Sequence, residues 1–581
     1  MAGADRTSSG SGRMGGRAAR RALRAAPVPR EERAVRPGQS GGRYQPLTES
    51  EVERIHQAAL EALEQIGIAN AIPSCRELIV GAGGSATEDG RLLFPKSLVE
   101  DAIASAARGI VLAGQDPRHD MELSGNRTYF GTAGAAVHIV DTVNRRYRDS
   151  TLRDLYDAAC IVNAMEHIHF FQRPMVIRDV EEPREMDFNT CYPSIVGTSK
   201  HVGTSFVAPE HADEAIDMLE LVAGGEKKWR ERPFVSCSCC HVVPPLRFAE
   251  DACRVLEICV QRGMPILLLA AGQAGATSPA ALAGSVVQET AEVLAGLVYV
   301  NLLKPGHPAI FGTWPFVSDL RTGAMSGGSG EQAVLMAACG QMGRFYDLPT
   351  GIAAGMADAK LPDAQSGYEK AYTNVLAGHS GANLVYESAG MHASLLGCCL
   401  ESYVIDNDML GAINRTIRGI EVTEDSLSLQ AMRDVCIDGP SHFLGHDQTM
   451  ALMQRDYVYP DLGDRNSPKE WNEAGRPDLL ENARARVAEL LSAPRPGHIS
   501  RHWTIRSESN SPSDCRLSLG NRPRTEAKDR LARHGQSCVS VSFCHQGARR
   551  SMVQLLSAWR VYWYRSCRRS GRLCQNSMVC G

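Results

Sequence analysis

Two aromatic residues separated by a single residue, Trp314 and Phe316, close the segment 312–316, which follows a short apolar run. An aromatic face attracts a cation by roughly 0.5–2 kcal/mol, and proteins commonly hold quaternary ammonium groups in this way. The pair therefore predicts one wall of a pocket for an organic cation. The alternative interpretation is that both rings only fill the interior of the fold.

A second segment whose side chains could take part in a reaction, residues 355–365, contains Asp358, Lys360, Asp363 and Gln365. It is too irregular for a helix and too polar for a core, so we expect a loop. We predict that Lys360 is catalytic and that Asp358 and Gln365 bind substrate. The alternative is a solvated set of ion pairs.

The run 383–390, NLVYESAG, is an apolar strand pattern that ends in a carboxylate. We predict that Glu387 is catalytic, that Tyr386 beside it binds substrate, and that His379, just before the strand, assists in catalysis. A lone histidine in such a place is also compatible with a purely structural role.

The cysteines invite a zinc interpretation, because Cys237, Cys239 and Cys240 precede His241, and Cys398 and Cys399 are adjacent. A zinc site needs about four N, S or O ligands. Against zinc, Cys398 and Cys399 follow an apolar run that we interpret as helical, and free cysteines are ordinary core residues. We therefore expect no bound metal.

Between residues 166 and 406, short apolar runs alternate with segments of helical pattern. Strand–helix–strand repetition indicates parallel strands joined by right-handed crossovers. With one more strand expected at 135–141, the pattern predicts an α/β fold, a closed (β/α)8 TIM barrel, whose functional residues follow the C-terminal strand ends. An open doubly wound sheet is the alternative, but the chain lacks its glycine-rich phosphate turn. The predicted strands are 168–172, 201–207, 234–237, 265–269, 308–312, 350–354 and 383–387, and the predicted helices are 209–223, 246–261, 282–303, 331–346 and 365–377.

The composition divides the 581 residues into three regions. Residues 1–42 are rich in Arg, Gly, Ala and Ser and predict a disordered basic leader. Residues 43–497 predict the barrel with an N-terminal helical extension, which begins at a capping box of Thr48 and Glu51. Residues 498–581 form an Arg-, Ser- and Cys-rich tail without apolar periodicity, which we interpret as disordered or translated out of frame.

The bulk properties are those of an ordinary globular enzyme, with 43% hydrophobic residues and a net charge of −4. A net charge this close to zero gives no indication of a surface that binds nucleic acid. The longest apolar stretch, 264–272, is too short to cross a bilayer, so we expect no membrane contact. Because the eighteen cysteines show no disulfide-framework spacing, a cytoplasmic protein is predicted.

Three strings within residues 355–410 resemble the trimethylamine/glycine betaine:corrinoid methyltransferase family: GMADAKLPDAQSGYEK, LAGHSGANLVYESAGM and LLGCCLESYVIDNDML. The runs YFGTAGAAVHIVD at 129–141 and QRPMVIRDV at 172–180 add to a resemblance that spans residues 44–495. It implies a TIM barrel in one-carbon, methanogenesis-related metabolism. It further implies methyl transfer from a methylated amine to the cobalt of a corrinoid carried by a separate partner protein, and no zinc.

The chain departs from the trimethylamine branch because it has no pyrrolysine, and ordinary Lys360 falls near the expected position. The branch without pyrrolysine resembles demethylases of quaternary amines such as glycine betaine. A quaternary ammonium releases a neutral amine when it loses a methyl group, so it needs no special electrophile. We expect the aromatic residues to hold the cation and Lys360, His379 or backbone N–H groups to recognise the far carboxylate.

Two other functions remain open at this level. One is a zinc-dependent thiol- or methanol-type methyltransferase that uses Cys237 with Cys398 or Cys399. The other is a non-catalytic betaine-binding barrel. A homo-oligomer is compatible with either interpretation.

Overall fold

The computed structural model describes residues 29, 32–437, 439 and 441–493. At its centre are eight short parallel strands, built from apolar runs that are buried on both faces. Numbered along the chain as β1 to β8, they are Arg127–Phe130, Phe171–Gln172, Val202–Thr204, Val235–Cys239, Ile266–Ala270, Ala309–Thr313, Thr350–Ala353 and Leu384–Tyr386.

The eight strands lie side by side in the order β1-β8-β7-β6-β5-β4-β3-β2, with every neighbouring pair parallel. The two end strands approach each other again, since Gly131 and Phe170 form an isolated parallel bridge. His169 N also donates to Phe130 O at 2.6 Å. The sheet is therefore curled into a partly closed barrel.

Each of the eight strands is followed by a helix that covers the outside of the sheet, which is the crossover connection that parallel strands require. Pro209 opens the third of these helices and Gly224, with φ of +89°, ends it, as a helix start and stop should. The helices, α1 to α8, are Leu152–Ala164, Pro183–Gly197, Pro209–Ala223, Glu250–Arg262, Leu282–Leu303, Gly330–Phe345, Ala364–Ser380 and Leu400–Arg418.

One predicted strand of the sheet was wrong. His138–Asp141 is a strand, but it belongs to a separate four-stranded sheet, and the sheet position next to β8 is taken by β1. Sheet membership depends on partners far away in the chain, which a local pattern does not contain. The smaller sheet consists of Met391–His392, Gly397–Cys398, His138–Asp141 and Arg146–Asp149.

The predicted N-terminal extension is helical. Thr48 and Glu51 form both bonds of the capping box that starts the helix Glu49–Gln65. Ordered structure also begins before the predicted boundary at residue 43, because the strand Gln39–Ser40 pairs antiparallel with β1. The other elements before β1 are Pro73–Gly81, Ser85–Ala86, Leu92–Leu93, Lys96–Ser105, Ile110–Leu112, Pro117–His119 and Met121–Leu123.

Additional short elements complete the described part of the chain. The predicted tail, residues 498–581, lies outside the described residues, as do residues 1–28 of the predicted leader. The remaining elements are Glu226–Glu231, Gln273–Ala274, Phe316–Val317, Glu424–Leu427, Leu429–Cys436, Asp447–Arg455, Pro468–Glu473 and Leu479–Ser492.

By length and composition, helix α5 is long and apolar enough to cross a membrane. The mean hydropathy over its most apolar stretch of 18 residues is 1.3. However, 83% of that stretch is buried inside the protein. A mainly apolar helix that is enclosed by the rest of the protein passes the same test of length and composition. Among the described helices it is the sole candidate span, and its burial favours the core interpretation.

Candidate active site

Three aromatic rings meet at the C-terminal end of the sheet. Tyr386, the last residue of β8, lies with its ring centroid 5.1 Å from that of Trp314, which follows β6. The ring of Phe170, from the approach to β2, lies 4.9 Å from Tyr386 on its other side. We call Phe170, Trp314 and Tyr386 the aromatic cluster.

The cluster lies inside the curve of the sheet. Gly351, on β7 between β8 and β6, leaves room for the Tyr386 ring, since a Cβ at this position would lie 2.8 Å from Cε2 of Tyr386. Trp314 Nε1 donates to Gly351 O at 3.2 Å, which satisfies the indole N–H and fixes the ring. Phe170, Trp314 and Tyr386 are 2%, 5% and 2% exposed. The predicted partner of Trp314 is Phe316, whereas the ring contact joins Trp314 to Tyr386.

Phe316 is buried in the short strand Phe316–Val317, which pairs with Gln273–Ala274 beyond the end of β5. Within the described chain, no ring contact joins it to Trp314 or Tyr386. Its position at the strand ends agrees with the interpretation that this ring fills the interior.

Glu387 follows the aromatic cluster directly in the chain and has an unusual environment. Its φ is +62°, a left-handed conformation that non-glycine residues rarely adopt. The residue is 1% exposed, and in the described structure Oε2 has no hydrogen-bond partner. Burial raises the pKa of this carboxyl to about 8, so it is mostly protonated at neutral pH. Buried carboxyls with a raised pKa and an unpartnered oxygen are found preferentially at functional sites.

The predicted loop 355–365 has a different organisation from the one its charges suggested. The carboxylate of Asp358 accepts from Ser326 Oγ at 2.6 Å, Gly327 N at 2.8 Å and Ser394 Oγ at 2.5 Å, so its oxygens are already occupied. Lys360 is exposed, and its ammonium donates to the backbone oxygen of Asp358. Gln365 is also exposed and donates to Glu369 Oε1 at 2.8 Å. These three residues lie in the segment that follows the C-terminal end of β7.

His379 is not brought together with Glu387. It lies in the last turn of α7, before β8, and therefore at the opposite end of the sheet from the C-terminal strand ends. Its Nε2 lies 3.0 Å from Thr416 Oγ1, and its backbone oxygen accepts from the N–H groups of Gly42 and Tyr44. These contacts attach residues 42–44 to the C-terminal end of α7.

Two further polar residues near the strand ends were not predicted. Glu289, on α5, is completely buried, accepts from Gly272 N at 2.6 Å through Oε1, and has no partner for Oε2 in the described residues. Burial, followed by the neighbouring Glu292, raises the pKa of Glu289. Gln332, in the first turn of α6, is also completely buried with both amide atoms unpartnered there. The sequence signal that could have identified Glu289 as a candidate site residue is a carboxylate within a mainly apolar helical segment.

The cysteines of the zinc hypothesis are buried apart from Cys240, which is partly buried. Burial raises the pKa of the Cys398 thiol to about 12, so that it stays protonated at neutral pH. Cys398 lies in the strand Gly397–Cys398 and not in the helix that we had expected. In the described residues, no three His, Cys, Asp or Glu side chains are grouped so that they could hold a metal ion.

The structure also contains a cavity of about 300 Å³, but it lies at the opposite face. It is lined by residues that precede β7, β8 and β1, among them Pro349, Asn383 and Asn126. The C-terminal end is favoured as the functional face because the aromatic cluster and Glu387 are there, and because parallel α/β sheets bind ligands at that end.

Gly351 offers a direct test of the packing in the cluster. We expect Gly351→Ala to displace the Tyr386 ring and to lower the free energy of unfolding by about 1–3 kcal/mol, as overpacking in a core does. Urea unfolding gives the stability, and near-ultraviolet circular dichroism reports the aromatic packing. Gly367→Ala, in open space on α7, is the matched control and should not destabilise. An unchanged near-ultraviolet spectrum in Gly351→Ala would contradict this description of the packing.

The parallel sheet, its helices and the polar and aromatic site at the strand ends define an α/β enzyme. The chain belongs to the trimethylamine methyltransferase (MTTB) family, whose family model matches residues 13–505, and it is a methyltransferase. It is 32% identical over 448 residues to the trimethylamine methyltransferase MttB of Desulfitobacterium hafniense (strain DSM 10664 / DCB-2), which covers 77% of this chain and 89% of that protein. The resemblance drawn from the sequence strings is thereby confirmed.

Other relatives extend the comparison. The glycine betaine methyltransferase of Desulfitobacterium hafniense (strain Y51) is 28% identical over 461 residues, covering 78% of this chain and 94% of that protein. Among solved structures, the Methanosarcina barkeri monomethylamine methyltransferase (MtmB) is similar with a TM-score of 0.45 and 12% identity, over 81% of this chain and 92% of that chain.

Proposed function

We propose that this protein removes a methyl group from a quaternary amine such as glycine betaine and transfers it to the Co(I) centre of a corrinoid carried by a partner protein. The observation that carries the proposal is the aromatic cluster of Phe170, Trp314 and Tyr386 at the C-terminal strand ends. Family membership and a glycine betaine methyltransferase among the relatives support it. The proposal includes a fully closed eight-stranded barrel with its mouth at this end.

The chemistry favours a quaternary donor. When the methyl carbon bonds to cobalt, the electron pair of the C–N bond stays on nitrogen, and a quaternary ammonium leaves as a neutral tertiary amine. A neutral tertiary amine would instead leave as an amide anion unless it were activated first. The chain has an ordinary lysine, Lys360, near the position where the resemblance places pyrrolysine, and the side chain of Lys360 is exposed. A donor that needs no special electrophile therefore suits this site.

The proposed task of the aromatic cluster is to bind the cation without trapping it. The ammonium charge disappears during transfer, so contacts that are too strong would stabilise the ground state more than the transition state. Aromatic faces provide modest attraction, roughly 0.5–2 kcal/mol. The main contribution of the protein is then the alignment of nitrogen, methyl carbon and cobalt on one line.

Glu387 is the proposed catalytic carboxyl. Its pKa of about 8 keeps it largely neutral at pH 7, so the empty site has no fixed counter-charge. A bound cation would favour the ionised form, because an opposite charge nearby stabilises it. Glu387 can therefore release a proton when the ammonium binds and take it back as the neutral amine leaves. Lys360 and nearby backbone N–H groups remain the proposed partners of the far carboxylate, whereas the position of His379 favours a structural role.

The test uses the full chain under strict exclusion of oxygen. Reduced Co(I) cobalamin, as a stand-in for the partner-bound corrinoid, is mixed with glycine betaine, other betaines and trimethylamine, and methylcobalamin formation is followed by absorbance. We expect turnover with a quaternary amine and none with trimethylamine. Absence of demethylation for every amine would contradict the proposal, and tight betaine binding without turnover would favour a binding protein.

The same proposal sets the cellular context. A corrinoid protein that delivers its cobalt to the mouth and a small methylated amine are the proposed partners, and the cytoplasm is the proposed location. A net charge of −4 gives no reason to add nucleic acid to these partners.

A further inference from the structure

One face of α7 holds the loop that follows β7. Glu369 Oε2 accepts from the backbone N–H groups of Asp358, at 2.8 Å, and Ala359, at 3.1 Å. One turn further on, Thr373 Oγ1 accepts from Gly355 N at 3.1 Å. Both ends of the segment 355–359 are thus attached to the same helix.

The same face of α7 holds the loop that follows β8. Asn374 Nδ2 donates to Ser388 O at 3.1 Å. Lys370 Nζ forms an ion pair with Asp406 Oδ2 of α8 at 2.7 Å, and that oxygen also accepts from Gly390 N at 2.8 Å. The segment 387–390 is therefore held at two points, directly by Asn374 and through Asp406 by Lys370.

The ion pair is buried, with side-chain exposures of 1% for Lys370 and 5% for Asp406. Two charges out of water are tolerated only when each is well paired and hydrogen-bonded, and removal of one partner leaves the other unpaired. In other proteins, a buried ion pair can often be replaced by neutral groups of similar size without loss of stability. Stability alone therefore does not account for an ion pair at this place.

Glu387 depends on these attachments. Its backbone has a left-handed φ of +62°, and no described hydrogen bond fixes Oε2. Since neighbouring groups do not hold this carboxyl oxygen, the direction of the side chain follows from the position of its backbone. That backbone is set by Ser388 and Gly390, which α7 and α8 hold, together with backbone hydrogen bonds from Ser388 N to Gly131 O at 3.0 Å and from Cys399 N to Gly390 O at 2.9 Å.

We propose that Lys370 is a positioning residue for the methyl transfer, acting through Asp406 and Gly390 to aim the Glu387 carboxyl at the cation held by the aromatic cluster. The inference rests on the proposed function. It assigns to a helix behind the sheet the task of keeping the β7 and β8 loops in one relative position.

The chain offers a matched control in Lys200, a second buried lysine, 3% exposed. Its ammonium donates to the backbone oxygens of Val162, Met165 and Ile168, at 2.5–2.7 Å. Lys200 precedes β3 and so lies near the opposite end of the sheet. Lys200→Met removes a buried lysine that holds backbone, as Lys370→Met does, but far from Glu387.

The test variant is the double substitution Lys370→Met with Asp406→Asn in the full chain. It leaves no unpaired buried charge and keeps an oxygen that can accept from Gly390 N. For glycine betaine with Co(I) cobalamin, we expect kcat to fall at least tenfold while KM changes less than threefold, at a nearly unchanged melting temperature. Lys200→Met should lower the melting temperature and leave kcat unchanged. A double variant with wild-type kcat would overturn the proposal.

Asn374 provides a second variant, and the Glu387 carboxyl provides a measurement that does not require turnover. If the double variant does not fold, Asn374→Ala, which removes the direct attachment to Ser388, should lower kcat in the same way. If wild type turns over no amine, the proposed function fails, and the infrared carbonyl band of protonated Glu387, assigned through Glu387→Gln, is measured instead. A shift of that band in the double variant, and none in Lys200→Met, would support positioning, and an unshifted band would overturn it.

Discussion

Replacement of Tyr386 by leucine is expected to weaken the binding of tetramethylammonium by about 3- to 30-fold. Tyr386 is the middle ring of the aromatic cluster, with Phe170 and Trp314 on its two sides. Its loss removes a cation–π contact of roughly 0.5–2 kcal/mol, and about 1.4 kcal/mol corresponds to a tenfold change in affinity. Isothermal titration calorimetry measures the change without requiring turnover.

Two further variants separate the ring from general packing. Tyr386→Phe keeps the aromatic face and should bind within about threefold of wild type, since the hydroxyl is not needed for cation–π attraction. Tyr346→Leu is the matched control, because Tyr346 is a buried tyrosine in another ring group, with its centroid 5.6 Å from that of Phe311, just before β7. Equal losses of affinity in Tyr386→Leu and Tyr346→Leu would show that binding follows stability and not the cluster.

Glu387 is expected to make the free energy of unfolding depend strongly on pH. Its pKa rises from an ordinary 4.5 to about 8 in the folded protein because of burial. Between these two pH values the unfolded chain loses the proton and the folded protein keeps it. The free energy of unfolding therefore falls as pH rises from about 4.5, and this loss is complete once pH passes about 8.

In Glu387→Gln this contribution is absent. Each pKa unit corresponds to about 1.4 kcal/mol, so wild type should lose roughly 3–5 kcal/mol across this window through Glu387 alone. We expect the variant to be more stable than wild type at pH 8, and the two to converge near pH 4.5. Urea unfolding at several pH values measures the difference.

An exposed carboxylate provides the comparison for this experiment. Glu88 is exposed, so Glu88→Gln should follow the wild-type dependence on pH. A difference between Glu387→Gln and wild type that does not grow with pH would contradict the buried, protonated state of Glu387.

Most of the fold was predictable because its signals are local. Seven apolar runs and five helical segments were expected close to where they occur, and Pro209 and the capping box at Thr48 marked helix starts correctly. The exception is instructive, since the run that contains His138–Asp141 has the pattern of a strand and forms one, but in another sheet. A pattern of period two reports that a segment is extended and not which strand it pairs with.

The site was predictable only in part, for the same reason. The sequence predicted Trp314 and Phe316 as a cation wall, Tyr386 as a substrate-binding residue and Glu387 at a strand end. The structure places Trp314, Tyr386 and Glu387 at one end of the sheet, but brings Trp314 together with Tyr386 and not with Phe316. Phe170 as the third ring depends on the curl that brings β2 near β8, which no spacing reveals. The catalytic role of His379 stays a prediction, but this residue precedes β8 and so lies at the other end of the sheet from Glu387. Gln332 was missed because its isolation from partners is a property of the packed structure.

The contacts of α7 have a consequence for how substrate preference can change in this family. The β7 and β8 loops are fastened by Glu369, Lys370 and Asn374, so mutations there disturb several bonds at once. The indole of Trp314, by contrast, has one described hydrogen bond, to Gly351 O, and otherwise only packing. Contacts from α7 therefore constrain the loops after β7 and β8, whereas the Trp314 ring is held mainly by packing. Libraries directed at residues 312–317 should yield altered amine selectivity more often than libraries directed at residues 355–359 and 387–390.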